Sequence, residues 1–169
     1  MIFWEYCSTW VVLKKIFMDK QDRAILAVIQ KDASLSVGEV ADQVGVSKSA
    51  CWRRMQKLEA EGVIRGRFTL LDQEKLGLPL SAYVVVRTNQ HNDQWAERFR
   101  KVVDEIPQVM EVYRMSGDLD YLIKVVVKDM PDYDRIYKQL IKADLFDVSC
   151  SFVMETMKQT TQLPLDELF

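Results

Sequence analysis

Residues 34–66 have the sequence SLSVGEVADQVGVSKSACWRRMQKLEAEGVIRG, which predicts two short helices joined by a tight turn. Ser36 precedes Glu39 by three residues, the spacing of a capping box, so we expect a helix to begin there. Gly45 suits the sharp turn after this helix, because glycine adopts backbone conformations that cost other residues free energy. Ser47 can cap the helix that follows.

The residues before this stretch predict one more helix, over residues 19–31. Ile25, Leu26, Val28 and Ile29 recur there at helical spacing, and acidic residues occupy the first turn. Three helices with a tight turn between the second and the third are typical of a helix-turn-helix, which places its last helix in the major groove of DNA.

The third predicted helix has an apolar side and a polar side. At about 100° per residue, Cys51, Met55 and Leu58 share one side, which we expect to face the core. The other side carries residue types that contact phosphates and base edges, although a solvated charged face is the alternative. The predicted DNA-binding residues are Ser47, Lys48, Ser49, Trp52, Arg53, Gln56 and Lys57.

The charge of the chain is concentrated rather than uniform. The 169 residues carry a formal net charge of −2, which argues against a general polyanion binder. Residues 44–67, however, contain six basic side chains and two acidic ones, a local net charge of +4. A local patch of this kind can bind a polyanion even when the whole protein is acidic.

The first residues, MIFWEYCSTWVVLKKIF, are unusually apolar. Glu5 interrupts the apolar run and two lysines follow it, which does not fit a secretory signal. The run is also too short to span a bilayer. We expect Met18 to be the biological start and residues 1–17 to be an extra segment; the alternative is a short helix or strand that covers an apolar patch.

Metal and disulfide chemistry are not expected. The three cysteines are far apart in sequence and do not form a CxxC pair, and His91 is the single histidine. This composition favours free thiols in a reducing compartment, and it lacks the ligand spacing of a zinc site.

The second half of the chain predicts an α+β fold. Residues 63–72 form a short extended segment, which could lie beside DNA as a minimal wing, and residues 72–80 are polar and then contain Gly-Leu-Pro, which indicates a linker. The predicted elements are a strand over 80–88, a helix over 93–106, strands over 109–117 and 121–129, a helix over 130–143 and a strand over 148–159. The order β-α-β-β-α-β is that of a ferredoxin-like domain.

This order predicts how the chain is divided and assembled. The predicted domains are residues 18–71 for the helix-turn-helix, 72–80 for the linker and 81–169 for a ligand-sensing and oligomerisation domain. Since both helices of a ferredoxin-like domain lie on one face of its sheet, we expect a second subunit to cover the other face.

Several separated motifs resemble the Lrp/AsnC family, the leucine-responsive or feast/famine transcription regulators. The motifs are MDKQDRAIL, VGVSKSACWRRMQKLEAEGVIRG, LLDQEKLGL, MSGDLDYLIKV and SCSFVMETMKQTTQLPL, in this order between residues 18 and 165. One departure is SKSAC at the start of the third helix, where the family often has prolines, so the base preference cannot be carried over.

The resemblance implies a cytoplasmic regulator that binds double-stranded operator DNA as part of a dimer. It also implies a C-terminal RAM domain whose dimers assemble to a tetramer or octamer, with no cofactor other than a free amino acid effector bound between dimers. The matching effector positions are Arg114, Gly117, Asp118, Asp120, Met130, Ser149, Ser151 and Phe152.

The side-chain chemistry of these positions suits an amino acid. Asp118 or Asp120 could hold the ammonium group, while backbone N–H groups near Gly117 and the two serine hydroxyls could hold the carboxylate. Met130 and Phe152 could bound a side-chain pocket. The alternative is that the sequence GDLD is simply a hairpin turn, because Gly and Asp suit turns.

Two other functions are open to the same fold. The first is a ferredoxin-like dimeric barrel enzyme with a fused helical domain, but its strands offer mostly Val and Leu inward, and His91 lies in a polar loop. The chain also lacks the glycine-rich phosphate loops of nucleotide enzymes. The second is an amino-acid-binding protein that organises DNA globally, which footprinting would distinguish from a regulator of one operator.

Overall fold

The computed structural model describes residues 17–165, and the predicted extra segment lies outside them except for Phe17. The described residues form two compact units. The first contains residues 17–69 together with residues 159–165, and the second is Leu70–Lys158.

The first unit is built from the three predicted helices. They are α1, Lys20–Ile29, α2, Val37–Val44, and α3, Lys48–Ala60. Apolar side chains from all three helices form its buried core, namely Ile25, Val40, Ala41, Cys51 and Met55. The apolar side of α3 is therefore the side that was predicted to face inward.

Each of these helices begins at a side chain that accepts backbone hydrogen bonds. The Asp19 carboxylate caps α1, and Ser36 caps α2 in a capping box with Glu39. Ser47 Oγ accepts a hydrogen bond from the Ala50 backbone N–H at 3.3 Å at the start of α3. Gly45 has φ +69° and provides the left-handed turn between α2 and α3. The caps and the turn set where α3 starts and in which direction it runs.

The C-terminal tail, residues 159–165, belongs to the first unit. The side-chain amide of Gln30, just after α1, bonds to both polar groups of the Leu163 backbone. Its Oε1 accepts from the Leu163 N–H at 3.0 Å, and its Nε2 donates to the Leu163 carbonyl at 3.2 Å. The predicted domain of residues 81–169 grouped this tail with the sheet, whereas the structure groups it with the helices.

The second unit is a four-stranded antiparallel sheet with two helices. Its strands are β1, Leu80–Arg87, β2, Val109–Arg114, β3, Tyr121–Val127, and β4, Asp147–Phe152. Its helices are α4, Asp93–Asp104, and α5, Met130–Leu140, which continues into a 3-10 turn at Ile141–Ala143. The strand order β2-β3-β1-β4 is that of the predicted ferredoxin-like fold.

The two faces of the sheet differ in character. Alternate residues of β1 and β3, such as Val84 and Ile123, are buried against Trp95 of α4 and Leu140 of α5. Because successive strand residues point to opposite faces, the intervening residues form a second face, which we call the open face. Its members in the central register are Tyr83, Val85, Leu122, Lys124, Ser149 and Ser151.

All four strands end earlier than predicted, and the difference is largest for β2 and β4, each because of its neighbour. The last strand stops at Phe152 rather than near residue 159, since its partner β1 begins at Leu80 and the Val153 N–H makes the final bond to Ser81. The β2 strand stops at Arg114 because the Met115 N–H bonds to the Asp120 carbonyl at 2.8 Å and closes the hairpin. Residues 63–72, predicted as an extended wing, pair with no described strand.

Candidate DNA-binding surface and ligand site

The polar side of α3 forms one continuous exposed surface. All seven predicted DNA-binding residues are exposed on it. Trp52, the largest of them, has 53% of its surface accessible, which is unusual for tryptophan and leaves its ring available to a partner. We call this the α3 surface; its members are Ser47, Lys48, Ser49, Trp52, Arg53, Gln56 and Lys57.

The start of α3 is suited to phosphate. Ser47 Oγ lies 3.3 Å from Ser49 Oγ, next to the backbone N–H groups of the first turn. The helix begins with Lys48, and no acidic residue lies in its first turn. The N-terminus of a helix is a favourable place for an anion, because free N–H groups and the positive end of the helix dipole meet there.

Further along, α3 residues are held by weak exposed contacts. Gln56 Nε2 donates to Glu59 Oε2 at 3.0 Å, and Lys57 Nζ lies 4.0 Å from Glu61. Arg67, from the segment after α3, also pairs with Glu59 at 3.1 Å. Exposed pairs of this kind contribute at most about 1 kcal/mol, so DNA can displace them at little cost.

Arg54 does not add to the exposed positive charge that the sequence indicated for residues 44–67. It was counted with the basic residues of 44–67, but its guanidinium bonds to the side chains of Asp19, Gln21 and Asp22 at the start of α1. The carboxylates of Asp22 and Asp19 raise the pKa of Arg54 above its ordinary value. No motif near Arg54 in the sequence predicts these contacts.

The predicted ligand turn follows β2. Gly117 has φ +107°, a conformation that favours glycine, and Asp118 is exposed beside it. Asp120 Oδ2 accepts a hydrogen bond from the Thr88 backbone N–H at 2.8 Å and so ties the turn to the end of β1. One oxygen of this carboxylate therefore already has a structural role. Arg114, at the end of β2, is exposed.

The other predicted ligand residues lie elsewhere on the sheet. Ser149 and Ser151 pair with Val85 and Tyr83 on the open face. Phe152 lies on the opposite face, where its ring packs edge-on against Tyr133 with centroids 5.1 Å apart.

Met130 lies at the far end of the sheet from the turn. It follows β3, whereas the turn precedes β3, and a strand of seven residues separates the two by about 20 Å at 3.3 Å per residue. The eight predicted positions therefore do not surround one pocket within a single chain. The predicted site stays a prediction.

A shallow groove of about 360 Å³ runs beside β2 and the end of α4. None of its lining residues belongs to the predicted ligand positions. Within residues 17–165, no group of three or more His, Cys, Asp or Glu side chains is placed to hold a metal ion. In the same part of the chain, every helix is too short or too polar to cross a membrane.

Two family profiles match the two halves of the chain. One, described as winged helix-turn-helix DNA-binding, matches residues 18–65. The other, described as Lrp/AsnC ligand binding domain, matches residues 81–163.

Curated proteins match over nearly the whole chain. The glutamate uptake regulatory protein of Zymomonas mobilis is 44% identical over 151 residues, which cover 89% of this chain and 92% of that protein. The DNA-binding transcriptional activator DecR of Escherichia coli is 44% identical over 151 residues, which cover 88% of this chain and 99% of that protein.

Solved structures match equally well. An AsnC family transcriptional regulator from Agrobacterium tumefaciens has a TM-score of 0.84 at 48% identity and covers 90% of this chain and 100% of its own. A transcriptional regulator from Neisseria meningitidis in complex with L-methionine has a TM-score of 0.84 at 31% identity, with the same coverage.

Proposed function

Because the chain belongs to the Lrp/AsnC family of DNA-binding transcriptional regulators, we propose that α3 binds operator DNA and that a free amino acid bound to the second unit changes this binding. The DNA-binding half of this proposal rests on one observation, the exposed α3 surface, which begins at a capped helix end and lies in a segment rich in basic residues.

The residues of the α3 surface have distinct proposed roles. Arg53, Gln56 and Lys57 point toward base edges in the major groove, since Arg suits guanine and Gln suits adenine. Lys48 and Ser49 hold phosphate, with Ser47 fixing the first turn and Trp52 flanking the groove. A symmetric pair of subunits would read half-sites about 34–36 Å apart, or a multiple of that distance.

Fluorescence anisotropy tests this assignment. The protein is titrated against DNA from upstream of its own gene and against an unrelated duplex, over a salt series. Arg53→Gln should weaken operator binding by about 1–3 kcal/mol and relax the preference between duplexes, whereas Lys48→Gln should weaken both equally and lower the salt slope by about 1. Gln94→Lys, an exposed change on α4, is the control, and absence of binding by the wild type would refute the proposal.

The amino acid effector is supported by the ligand-domain profile and by the Neisseria relative, whose structure holds L-methionine. We place the site between chains, because a single chain separates the turn at Gly117 from Met130 by the length of β3. A ligand there can regulate DNA binding only if it binds two arrangements of the assembly with different affinities.

The open face supports assembly with a second copy. Tyr83, Val85 and Leu122 form an apolar strip there, while the described helices of this unit pack on the opposite face. A sheet face of this kind gains free energy when another sheet covers it. We propose a dimer formed by two open faces, with further assembly to a tetramer or octamer.

Substitutions at the turn test the effector site. Asp120→Asn keeps an oxygen that can accept from the Thr88 N–H but removes the charge that would hold an ammonium group. We expect this variant to bind the effector at least tenfold more weakly while DNA binding without effector is unchanged. Asp118→Asn is the matched variant, and a normal effector response in both variants would remove the carboxylates from the site.

The same proposal makes the chain a non-enzymatic, cytoplasmic regulator, in line with relatives that are transcriptional regulators. A second candidate function, global organisation of DNA by the same assembly, predicts many evenly spaced protected sites along a long DNA. A regulator of one operator predicts few protected sites, so footprinting on a long fragment separates the two functions.

A further inference from the structure

Arg54 lies on α3 next to the exposed Arg53, but its side chain is directed toward α1. We infer that Arg54 is a positioning residue, which fixes the orientation of α3 through the start of α1 and does not itself contact DNA. The inference rests on the proposed role of α3 in DNA binding.

Three hydrogen bonds hold the Arg54 guanidinium. Nη1 lies 2.7 Å from Asp19 Oδ2 and 2.7 Å from Asp22 Oδ1, and Nη2 lies 2.8 Å from Gln21 Oε1. A guanidinium is planar and its donors point in fixed directions. Contacts to three different side chains therefore fix both its position and its plane.

The acceptors are themselves fixed to the backbone. The Asp19 N–H donates to Asp22 Oδ2 at 3.2 Å, and the Asp22 N–H donates to Asp19 Oδ1 at 2.9 Å. Asp22 is also buried, with 4% of its side chain accessible, so loss of its cationic partner would leave an uncompensated charge. A continuous set of bonds thus joins the first turn of α1 to the middle of α3.

Apolar packing alone would fix α3 less tightly. The contacts between Ile25, Cys51 and Met55 in the core have no preferred direction, because the hydrophobic effect is not directional. On a helix about 10 Å across, a rotation of about 20° moves surface atoms by about 2 Å. That shift is enough to break hydrogen bonds from Arg53 or Gln56 to base edges.

The pairing also means that Arg54 does not contribute to the positive charge available to bind DNA phosphates. Two carboxylates surround its guanidinium, so a phosphate would have to compete with a partly buried ion pair. The salt dependence of DNA binding should therefore depend on the phosphate contact Lys48 and not on Arg54.

Three variants of the full chain test the inference in the same anisotropy titration. Arg54→Met keeps the apolar stem, Asp22→Asn removes the negative charge of a partner that lies on α1 and outside the α3 surface, and Lys48→Met is the control at a proposed phosphate contact. We expect the first two to weaken operator binding at least tenfold, more than binding to the unrelated duplex, with an unchanged salt slope. Lys48→Met should lower the salt slope by about 1.

Circular dichroism at the titration temperature must show that each variant is folded. A salt slope lowered by about 1 in Arg54→Met would place Arg54 on phosphate and overturn the inference. If folded Arg54→Met or Asp22→Asn binds the operator with the affinity of the wild type, the Arg54 contacts stabilise the fold but do not position α3 for DNA. That result would also overturn the inference.

Hydrogen exchange gives a readout that does not depend on DNA. Arg54→Met should raise amide exchange in the first turn of α1 and in the middle of α3, while exchange in the sheet is unchanged; unchanged exchange at both places would overturn the positioning role. If the wild type binds neither duplex, the proposed function fails, and the exchange result alone decides the inference.

Discussion

At the scale of single residues, two glycines in and after α2 differ in backbone conformation. Gly38 lies in the first turn of α2 with ordinary helical geometry, and an added Cβ would meet only the Ser36 hydroxyl, at 3.8 Å. Gly45 has φ +69° at the end of α2, and an added Cβ would meet no atom within 4 Å. Space is therefore available at both positions, and backbone conformation alone distinguishes them.

Alanine at these positions should change stability in opposite directions. Gly38→Ala should raise the free energy of unfolding by about 0.5–1 kcal/mol, because alanine loses less backbone entropy in a helix. Gly45→Ala should lower it by about 1–2 kcal/mol, because a Cβ is unfavourable in the left-handed region. Urea titration of both variants measures the difference; a destabilised Gly38→Ala would contradict this account.

Residue-level prediction succeeded where the signal was local. Ser36, Gly45 and Ser47 were identified because caps and turns depend on residues a few positions apart. Arg54 was counted in the net charge of residues 44–67 and was not among the predicted DNA contacts, but its pairing was not predicted, because its partners lie 35 and 32 positions away, at Asp19 and Asp22. The spacing of residues along α3 does not predict contacts with residues so distant in sequence.

At the scale of elements, the first turn of α2 contains a carboxylate with a perturbed pKa. Hydrogen bonds from the Ser36 hydroxyl and then from the Ser36 N–H lower the pKa of Glu39 from its ordinary 4.5. A carboxylate with a lowered pKa in the folded state contributes stability above its unfolded pKa, and this contribution is lost as pH falls through the folded value.

Glu39→Gln isolates this contribution, because glutamine also serves in a capping box but carries no charge. The wild type should have the higher urea midpoint at about pH 7, where Glu39 is ionised, and the difference between the two midpoints should be smaller at about pH 3, because the carboxylate gains its proton as pH falls through the folded value. A difference that is the same at both pH values would show that the charge of Glu39 is not its cause.

The elements of the sheet were predictable in order but not in extent. Alternation and composition indicated each strand. However, β2 and β4 end where their neighbours end, and the sequence of one strand does not predict the length of its partner. The same limit applies to the ligand positions. Their order along the chain could be predicted, but Phe152 and Ser151 point to opposite faces, and the proposed site between chains would depend on how the chains assemble.

At the scale of the whole molecule, the open face gives a direct test of assembly. Val85 lies between Leu122 and Ser149 in the register of the sheet. Val85→Lys places a charge in the middle of the proposed dimer interface and should reduce the mass measured by sedimentation toward that of one chain. Gln94→Lys adds the same charge on the exposed side of α4 and should not.

An unchanged mass in Val85→Lys would exclude the open face as the dimer interface.

The seven residues of the α3 surface were predictable from a period of 3.6 residues, since exposure on a helix is a local property. Whether they contact DNA remains a prediction for the titrations proposed above.

The bonds between Gln30 and Leu163 join residues 133 positions apart within the helical unit. This unit is therefore discontinuous along the chain, and the ligand-binding unit is an insertion within it. During synthesis, α1 to α3 leave the ribosome early, while the residue that Gln30 binds is made near the end. The three helices can thus fold first as an incomplete unit, and the tail can add its bonds only after the whole sheet has been translated.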